Sequence, residues 1–417
     1  MGKIVRYKME MEVLTPVHIA GADYKSKLNK TEYIFNPNTN DLTIIDNNKF
    51  IDFLVEKKII DKYLDEIREN NKLNLFYFLK NSDLYKNKDR NKILYEDLRG
   101  FTKKSYKNLD IELKIKENEK KENLNNITLL NKNVKDEVYI PGSSIKGALV
   151  NLLLVSYIIR NRNEFKDEIS YIYSIINNET KKKDMDEIKS KISNVVKNIE
   201  DQIFHKKEKI IIRNEKNVLT KRILRENDEK TKKFGISISD TYNTKDENFC
   251  FFKDYDEKLE ENNQVKPMPV IREYINPKTR FIFDITLDFE LLSETRLKIN
   301  DFNDLINFLK KAMNYLIKNT LETPNDLGSQ NLILGANTGF HQKTIIHALF
   351  GNEKNRLDVV KRLLHQSNSD KKLNHLIDDE FSPRVLNRIK IKENGELKSK
   401  LAGLVEIRKI SQKEVGK

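Results

Sequence analysis

Apolar and polar positions alternate along two segments with the two-residue period of half-buried β-strands. Residues 9–19, MEMEVLTPVHI, begin by alternating methionine or valine with glutamate. Residues 279–289, TRFIFDITLDF, place Phe281, Phe283 and Ile285 on one face, and this is the clearest strand pattern in the chain. We therefore predict a strand in each segment, with one face buried.

Shorter patterns predict the remaining elements. Apolar or alternating runs predict strands at Tyr33–Phe35, Leu42–Ile45, Val138–Ile140, Phe234–Tyr242, Val385–Ile391 and Leu404–Ile410. Apolar residues that recur every three or four positions predict helices at Phe50–Ile67, Ile145–Ile159, Ile188–Ile203 and Asp301–Lys318.

The order strand, helix, strand recurs in each half of the chain, which indicates an α+β fold with two units. We place the first at 1–245 and the second, which carries a glycine-rich loop, at 246–417. Two polar, charge-dense stretches, at about 80–136 and 177–233, are predicted to be helical and loop insertions in the first unit.

Charge and cysteine content narrow the class of protein. The 417 residues carry a net charge of +13, which favours a polyanionic partner, although a coding bias towards lysine would give the same excess. The single cysteine, Cys250, excludes a disulfide framework. The N-terminus lacks an apolar signal region, and no apolar run reaches the roughly 18 residues of a membrane span. We expect a cytoplasmic protein with no membrane partner.

A glycine- and serine-rich loop, VYIPGSSIKGALV, joins a predicted strand to a predicted helix. It is not a nucleotide-binding P-loop, because Lys146 precedes Gly147 rather than following it. Gly142, Ser143 or Ser144 and Lys146 would suit a phosphate held at the helix N-terminus, where a cation is otherwise unfavourable. A serine that caps the helix, with a solvent-facing lysine, explains the same pattern.

Several motifs resemble those of one family. LTPVHIAG (14–21), IPGSSIKGAL (140–149), ISDTY (238–242) and LGANTGFHQKT (334–344) resemble the ordered motifs of RAMP proteins, the CRISPR-associated RNA-binding superfamily. With REYINPKTRF (272–281) and AGLVEI (402–407), the set is most similar to the fifth-subunit family of type III-A Csm effector complexes.

The resemblance implies two ferredoxin-like (RRM-like) domains and a structural, non-catalytic role in antiviral CRISPR defence. Such a subunit would bind the guide RNA (crRNA) near its 3′ end, next to backbone and small subunits, and would meet target RNA only indirectly. It would support maturation of the guide 3′ end, with host nucleases recruited for the trimming. No cofactor is implied. Many members have a basic residue where this chain has Val150.

The candidate RNA-binding residues come from these motifs. The first and central motifs contribute His18, Gly21, Gly142, Ser143, Ser144, Lys146 and Gly147. The C-terminal loop contributes Gly335, Asn337, Thr338, Gly339, Phe340 and Lys343.

Histidines leave one enzymatic alternative open. If the first motif and the C-terminal loop met in space, His18 or His341 could act in a metal-independent endoribonuclease that processes guide RNA. The sequence has no His-Glu-x-x-His pattern, so we expect no metal site. Asp240, which follows a predicted strand, is expected to be a turn or cap residue.

Aromatic residues suggest how RNA would be contacted. The chain has 20 phenylalanines and 16 tyrosines but no RNP1 pattern, the aromatic signature of ordinary RRM domains. Phe340, between a glycine and a histidine, is expected to be exposed and able to stack on a base. We otherwise expect contact through loops and phosphates, with little preference for sequence.

Overall fold

The computed structural model describes most of the chain. The described residues are 4–21, 27–36, 38–69, 73–82, 84, 90–107, 109, 127–177, 185–204, 209–213, 219–223, 235–243, 249–258, 265–320, 331–340, 343–351, 353–367, 376, 382, 385–393 and 395–415.

The strands, numbered in chain order, are β1 Ile4–Val13, β2 Lys27–Leu28, β3 Tyr33–Asn36, β4 Asp41–Ile45, β5 Thr102–Tyr106, β6 Ile127–Thr128, β7 Lys209–Arg213, β8 Leu219–Ile223, β9 Ile236–Ile238, β10 Tyr242–Asn243, β11 Phe249–Lys258, β12 Val265–Ile275, β13 Arg280–Asp288, β14 Asn331–Ile333, β15 Val385–Glu393, β16 Glu396–Lys400 and β17 Leu404–Val415.

The helices are α1 Asn47–Glu56, α2 Ile60–Glu69, α3 Leu75–Asn81, α4 Arg90–Phe101, α5 Gly142–Asn161, α6 Lys166–Asn177, α7 Met185–Phe204, α8 Phe289–Glu294, α9 Phe302–Thr320, α10 Ile346–Phe350 and α11 Glu353–Ser367. A 3-10 turn, Arg162–Phe165, joins α5 to α6.

The main sheet is antiparallel and is centred on β1. Its order is β10–β13–β1–β17–β14, and β9 pairs with β13 beside β10. Met9 pairs with Phe283, and Met11 pairs with Phe281 on one side and with Ile407 on the other. The two segments with the clearest alternation are therefore neighbours in one sheet.

The main sheet follows the chain order β1, α5, β9–β10, β13, α9, β17, which is the β-α-β-β-α-β order of a ferredoxin-like unit. The mixed α+β class predicted from sequence is confirmed. The strand pairings do not follow the predicted division at 245, because β1 pairs directly with β13 and β17. A second ferredoxin-like domain and the boundary itself stay predictions.

The main core lies on the face of this sheet that α5 and α9 cover, and it includes Val5, Tyr7, Met9 and Met11 of β1. Helix α7, within the predicted 177–233 insertion, also supplies buried residues to it: Val195, Ile199, Ile203 and Phe204. This part of the stretch is therefore integrated into the core. Beyond α7, the stretch contains the two-stranded hairpin β7–β8.

Two further sheets, of six and three strands, accompany the main sheet and the β7–β8 hairpin. The second sheet has the order β16–β15–β11–β12–β6–β2, and a single bridge from Val17 to Ile275 links its β12 to the segment after β1. The third sheet, β3–β4–β5, confirms the strands predicted at residues 33–35 and 42–45 and pairs them antiparallel. It packs with α1, α3 and α4 around a separate cluster that contains Phe50, Phe76 and Phe101.

Three elements differ locally from those predicted from the sequence. The predicted helix 50–67 lies across two helices, α1 and α2, because Lys58 between them adopts a positive φ of 55°. Residues 138–140 form only an isolated bridge, from Val138 to Lys132. The predicted strand 234–242 is interrupted at residues 239–241, where the chain turns towards the start of α5.

A helical stretch of membrane-span length is present, although no apolar run of that length was predicted from the sequence. The helical stretch Gly142–Ile176 is long and apolar enough to cross a membrane, with a mean hydropathy of 1.5 in its most apolar window. Within that window 56% is buried inside the protein, and Leu149, Leu153 and Ile158 are fully covered. Packing in the core accounts for the apolar composition.

Candidate RNA interface

Helix α5 begins at Gly142 in the central motif, and its N-terminus is bonded by a residue distant in sequence. The backbone N–H of Gly142 donates to Oδ1 of Asp240 over 2.8 Å. The N-cap residue is Pro141, which makes no side-chain cap hydrogen bond. The predicted serine cap is therefore wrong. Asp240, expected to be a turn or cap residue, instead bonds to the start of a distant helix.

Gly142 is required by the protein's own packing. A Cβ at this position would lie 2.4 Å from the carbonyl oxygen of Ile238 and 2.6 Å from that of Ser239. Both contacts are with backbone, which cannot swing away as a side-chain tip can. Glycine at this position therefore lets the start of α5 lie close to the backbone of the β9–β10 segment. Gly142 itself is buried.

Lys146 has a partner inside the protein. Its ammonium Nζ donates to the carbonyl oxygen of Ile236 in β9 over 2.8 Å. It also lies near Glu200 of α7. Burial raises the pKa of Glu200, and the charge of Lys146 is among those that lower it. A solvent-facing lysine is thus wrong, and a phosphate at Lys146 would have to compete with the carbonyl of Ile236.

The exposed part of the central motif is a strip formed by Ser143 and Gly147, one turn apart on α5. A Cβ at Gly147 would have no neighbour within 4 Å. Glycine inside a helix costs roughly 1 kcal/mol relative to alanine. Nothing in the described part of the fold requires this glycine, so the open space suits a partner that approaches the helix backbone closely.

The first motif and the C-terminal glycine-rich loop lie against each other, as the enzymatic alternative required. The N–H of Ala336 donates to the carbonyl of His18 over 2.8 Å, and a Cβ at Gly335 would lie 2.2 Å from that oxygen. The N–H of Gly403 donates to Pro16 over 2.9 Å. Gly335 and Gly403 thus allow three backbone segments to meet.

The glycine-rich loop repeatedly enters the left-handed region of backbone conformation. Gly335, Asn337 and Gly339 have φ values of 87°, 59° and 87°. These are residue types that adopt positive φ at low cost. The backbone conformation of the loop therefore explains the glycines and the asparagine at these positions, whichever ligand the loop meets.

His18 is buried and neutral. Its side chain is 1% exposed, and Nδ1 donates to the carbonyl of Glu273 over 2.6 Å. Burial, with a smaller contribution from the nearby guanidinium of Arg272, lowers the pKa of His18 to about 4. The ring therefore holds the loop in place and has no direct access to solvent. His341, the other candidate catalytic histidine, lies outside the described residues.

Lys343 and Arg272 form a cationic pair beside this loop. The pKa of Lys343 is below its usual value because neighbouring protein desolvates the ammonium and because Arg272 lies close. Arg272 also forms an ion pair with the buried carboxylate of Asp254. The sequence analysis did not select Arg272, because nothing local indicates that β12 passes beside residue 343.

The remaining candidates differ in accessibility. Gly21, Ser144, Gly339 and Asn337 are half-buried, and Thr338 is buried. Phe340, expected to be exposed, is half-buried and packs against the main core. Its aromatic face is part of the fold's own packing.

Hydrogen bonds link the first motif and the glycine-rich loop to the central and third motifs. The N–H of Asn131 donates to Ile19, beside the first motif's His18, and the N–H of Tyr139 donates to Asn131. Ile140 then exchanges bonds with Thr241, whose hydroxyl accepts from the Ile140 N–H over 2.8 Å. The first, central and third motifs and the glycine-rich loop are therefore parts of one connected region.

The solvent face of the main sheet is charged. Arg6 pairs with Asp284 at 3.4 Å, and Arg280 pairs with Glu12 at 3.1 Å. In β1 and β13 the residues on this face are charged, threonine or isoleucine. This face offers no aromatic platform along those two strands, in agreement with the absence of an RNP1 pattern. Among the described residues, no group of three His, Cys, Asp or Glu could hold a metal ion.

Comparison with known proteins identifies a family, and the solved structures that resemble this chain include the two described next. The RAMP superfamily model matches residues 10–364. A chain of the cryo-EM structure of a Csm–crRNA–target RNA ternary complex from a type III-A CRISPR-Cas system is 17% identical, with a TM-score of 0.54 over 98% of this chain and 100% of that one. Csm5 of T. onnurineus is 15% identical, with a TM-score of 0.49 over 82% and 92%. No curated protein matches the sequence. The first structural likeness shows a shared fold.

Proposed function

Because the chain belongs to the RAMP superfamily, we propose that it is an RNA-binding structural subunit of a type III-A CRISPR effector complex. It binds the 3′ region of the guide RNA and supports maturation of that end, with host nucleases recruited for trimming. Its neighbours are the backbone and small subunits, and it acts in the cytoplasm. The similarity to a chain of a Csm–crRNA–target RNA complex supports this assignment.

One observation carries the RNA-binding part of the proposal. The described motifs form one connected region whose exposed groups include the hydroxyl of Ser143, the bare helix surface at Gly147 and the side chain of Lys343. A helix surface without a side chain lets an RNA backbone approach closely. Lys343, with Arg272 beside it, supplies positive charge for phosphates, which dominate affinity for RNA.

The subunit works without a catalytic step of its own in this proposal. The endoribonuclease alternative requires a histidine that reaches the 2′-hydroxyl of RNA. His18 is buried, and its Nδ1 is already bonded to a backbone carbonyl. The geometry thus favours a role for His18 in holding the loop.

Crosslinking in the assembled complex tests the proposal. The complex is assembled with a guide RNA that carries photoreactive uridines near its 5′ end, middle or 3′ end. We expect crosslinks to this chain only from the 3′ group, and weaker ones after Lys343→Ala. Crosslinks from the 5′ group alone, or incorporation of the chain without any crosslink, would refute the assignment.

A further inference from the structure

The third sheet, β3–β4–β5, separates two kinds of packing. On one face Tyr33, Phe35 and Leu42 pack with Phe251 of the second sheet in a buried cluster. On the opposite face Ile34 packs with the helices of the 47–101 module. If this opposite face only packed against the helices, we would expect apolar side chains along its whole length.

The far end of the helix-facing side is instead polar. Asn36 and Asp41 are paired across β3 and β4, and Thr43 follows on the same face. Their exposed fractions are only 7%, 9% and 8%. Asp41 accepts from Nζ of Lys107 over 3.0 Å, and Asn36 accepts from the N–H of residue 38. Buried polar groups cost stability relative to well-packed apolar ones even when they are bonded.

A cavity of about 500 Å³ lies over these polar residues. We call it the Asp41 pocket. Its floor is Asn36, Asp41 and Thr43, and its apolar wall is Phe76 of α3 and Leu98 of α4. Its volume is within the roughly 300–1,000 Å³ of small-molecule sites, which are mostly apolar with a few convergent polar groups.

Positive charge stands at the rim of the Asp41 pocket. Arg99 near the end of α4 is exposed, and Lys107 after β5 is exposed while it reaches Asp41. The pocket thus combines an apolar wall, a floor with both donors and acceptors, and a cationic rim.

We propose that the Asp41 pocket binds one nucleotide unit of RNA. The edge of a base presents donors and acceptors together, which the amide of Asn36, the hydroxyl of Thr43 and the carboxylate of Asp41 complement. The flat faces of a base suit the wall of Phe76 and Leu98, and the phosphate suits Arg99. The inference rests on the proposed function because it takes the occupant from an RNA chain.

Nucleotide titration of the full chain tests this inference. The four nucleoside 5′-monophosphates are titrated into wild type, Arg99→Ala and Thr43→Val, and into Arg68→Ala as the control. Arg68 is an exposed arginine on α2 outside the pocket. We expect saturable binding of at least one monophosphate, weakened about tenfold by Arg99→Ala and by Thr43→Val but unchanged in Arg68→Ala. A long single-stranded RNA should compete with the monophosphate.

Three results would overturn the inference: no saturable binding at millimolar monophosphate, equal binding in all variants, or no competition by RNA. Direct RNA binding is measured in parallel by fluorescence anisotropy. If RNA binds and monophosphates do not, the pocket inference fails and the proposed function stands. If a monophosphate binds in the pocket and the chain binds no RNA, the proposed function fails. Melting curves establish that Thr43→Val remains folded.

Discussion

The backbone N–H of Gly142 donates to the carboxylate of Asp240, 98 residues further along the chain, at 2.8 Å. A negative group therefore already occupies the start of helix α5, where the sequence suggested that a phosphate would bind. The favourable interaction between an anion and a helix N-terminus is used within the fold. In the proposed function, RNA would therefore have to bind the central motif elsewhere, and the exposed strip of Ser143 and Gly147 is the surface left for it.

Replacing Asp240 measures this interaction. Asp240→Ala should lower the free energy of unfolding by about 0.5–2 kcal/mol, the usual effect of losing a carboxylate that bonds a helix start. Asp240→Asn should cost less, because an amide keeps the acceptor and loses only the charge. Denaturant unfolding of both variants provides the comparison. Equal stability of Asp240→Ala and wild type would contradict this role.

The two glycines of the central motif should respond in opposite directions to the same substitution. Gly142→Ala places a methyl group against two backbone carbonyls and should destabilise the protein by about 1–3 kcal/mol. Gly147→Ala fills open space in a helix and should stabilise it by up to about 1 kcal/mol. Thermal melts measure both changes.

RNA affinity then shows what Gly147 is for. If RNA approaches the helix closely there, Gly147→Ala should bind single-stranded RNA more weakly although the protein is more stable. Unchanged affinity in fluorescence anisotropy would remove Gly147 from the interface.

Lys146 distinguishes a protein partner from a phosphate partner. Since its ammonium bonds the carbonyl of Ile236, Lys146→Met should lower stability by about 1 kcal/mol and change RNA affinity less than twofold. A phosphate partner would produce the reverse, with stability preserved and affinity reduced by about 1.5–3 kcal/mol. Unfolding and binding measured on one preparation separate the two outcomes.

His18 should make stability depend on pH. Its pKa is about 4 in the folded protein and near 6.5 when the chain unfolds. Between these values the unfolded state binds a proton that the folded state does not, so stability falls as the pH drops from 6.5 towards 4. The loss should approach about 3 kcal/mol.

Denaturant unfolding at pH 7 and pH 5 should show about 2 kcal/mol of this loss, and His18→Asn should be less sensitive to the change. His365→Asn is the control, since His365 is exposed on α11. If wild type and His18→Asn lose equal stability, His18 is not the titrating group.

The salt dependence of RNA binding reports phosphate contacts. The logarithm of the affinity should fall linearly with the logarithm of salt concentration, with a slope of about −0.7 for each phosphate contacted. Lys343→Ala should reduce the slope by roughly one contact, whereas Lys311→Ala, on the exposed side of α9, should not. Equal slopes in both variants would exclude Lys343 from the contacts.

The sequence predicts best where a local pattern decides the structure. Phe281, Phe283 and Ile285 are all buried on one face of β13, because a two-residue period can only mean that in a strand with one covered face. The glycines at 335 and 403 have a local explanation too, because both adopt a positive φ, which glycine does at low cost.

Contacts between distant residues were not predictable from one sequence. Nothing near Lys146 indicates that its partner is the carbonyl of Ile236, and nothing near Phe340 indicates that it packs on the core. The apolar stripe that predicts a helix at Ile188–Ile203 likewise did not indicate that α7 packs on the main core, because an apolar helix face does not specify its partner.

The central position of β1 in the main sheet has a consequence for synthesis on the ribosome. Its two neighbours, β13 and β17, begin at residues 280 and 404, so β1 emerges long before either partner exists. At roughly 5–20 residues per second, the wait for β17 is about 20–80 s. During that time a strand with one face of valine, tyrosine and methionine has both hydrogen-bonding edges unsatisfied. The nascent chain is then exposed to mispairing, which makes it a natural client for chaperones.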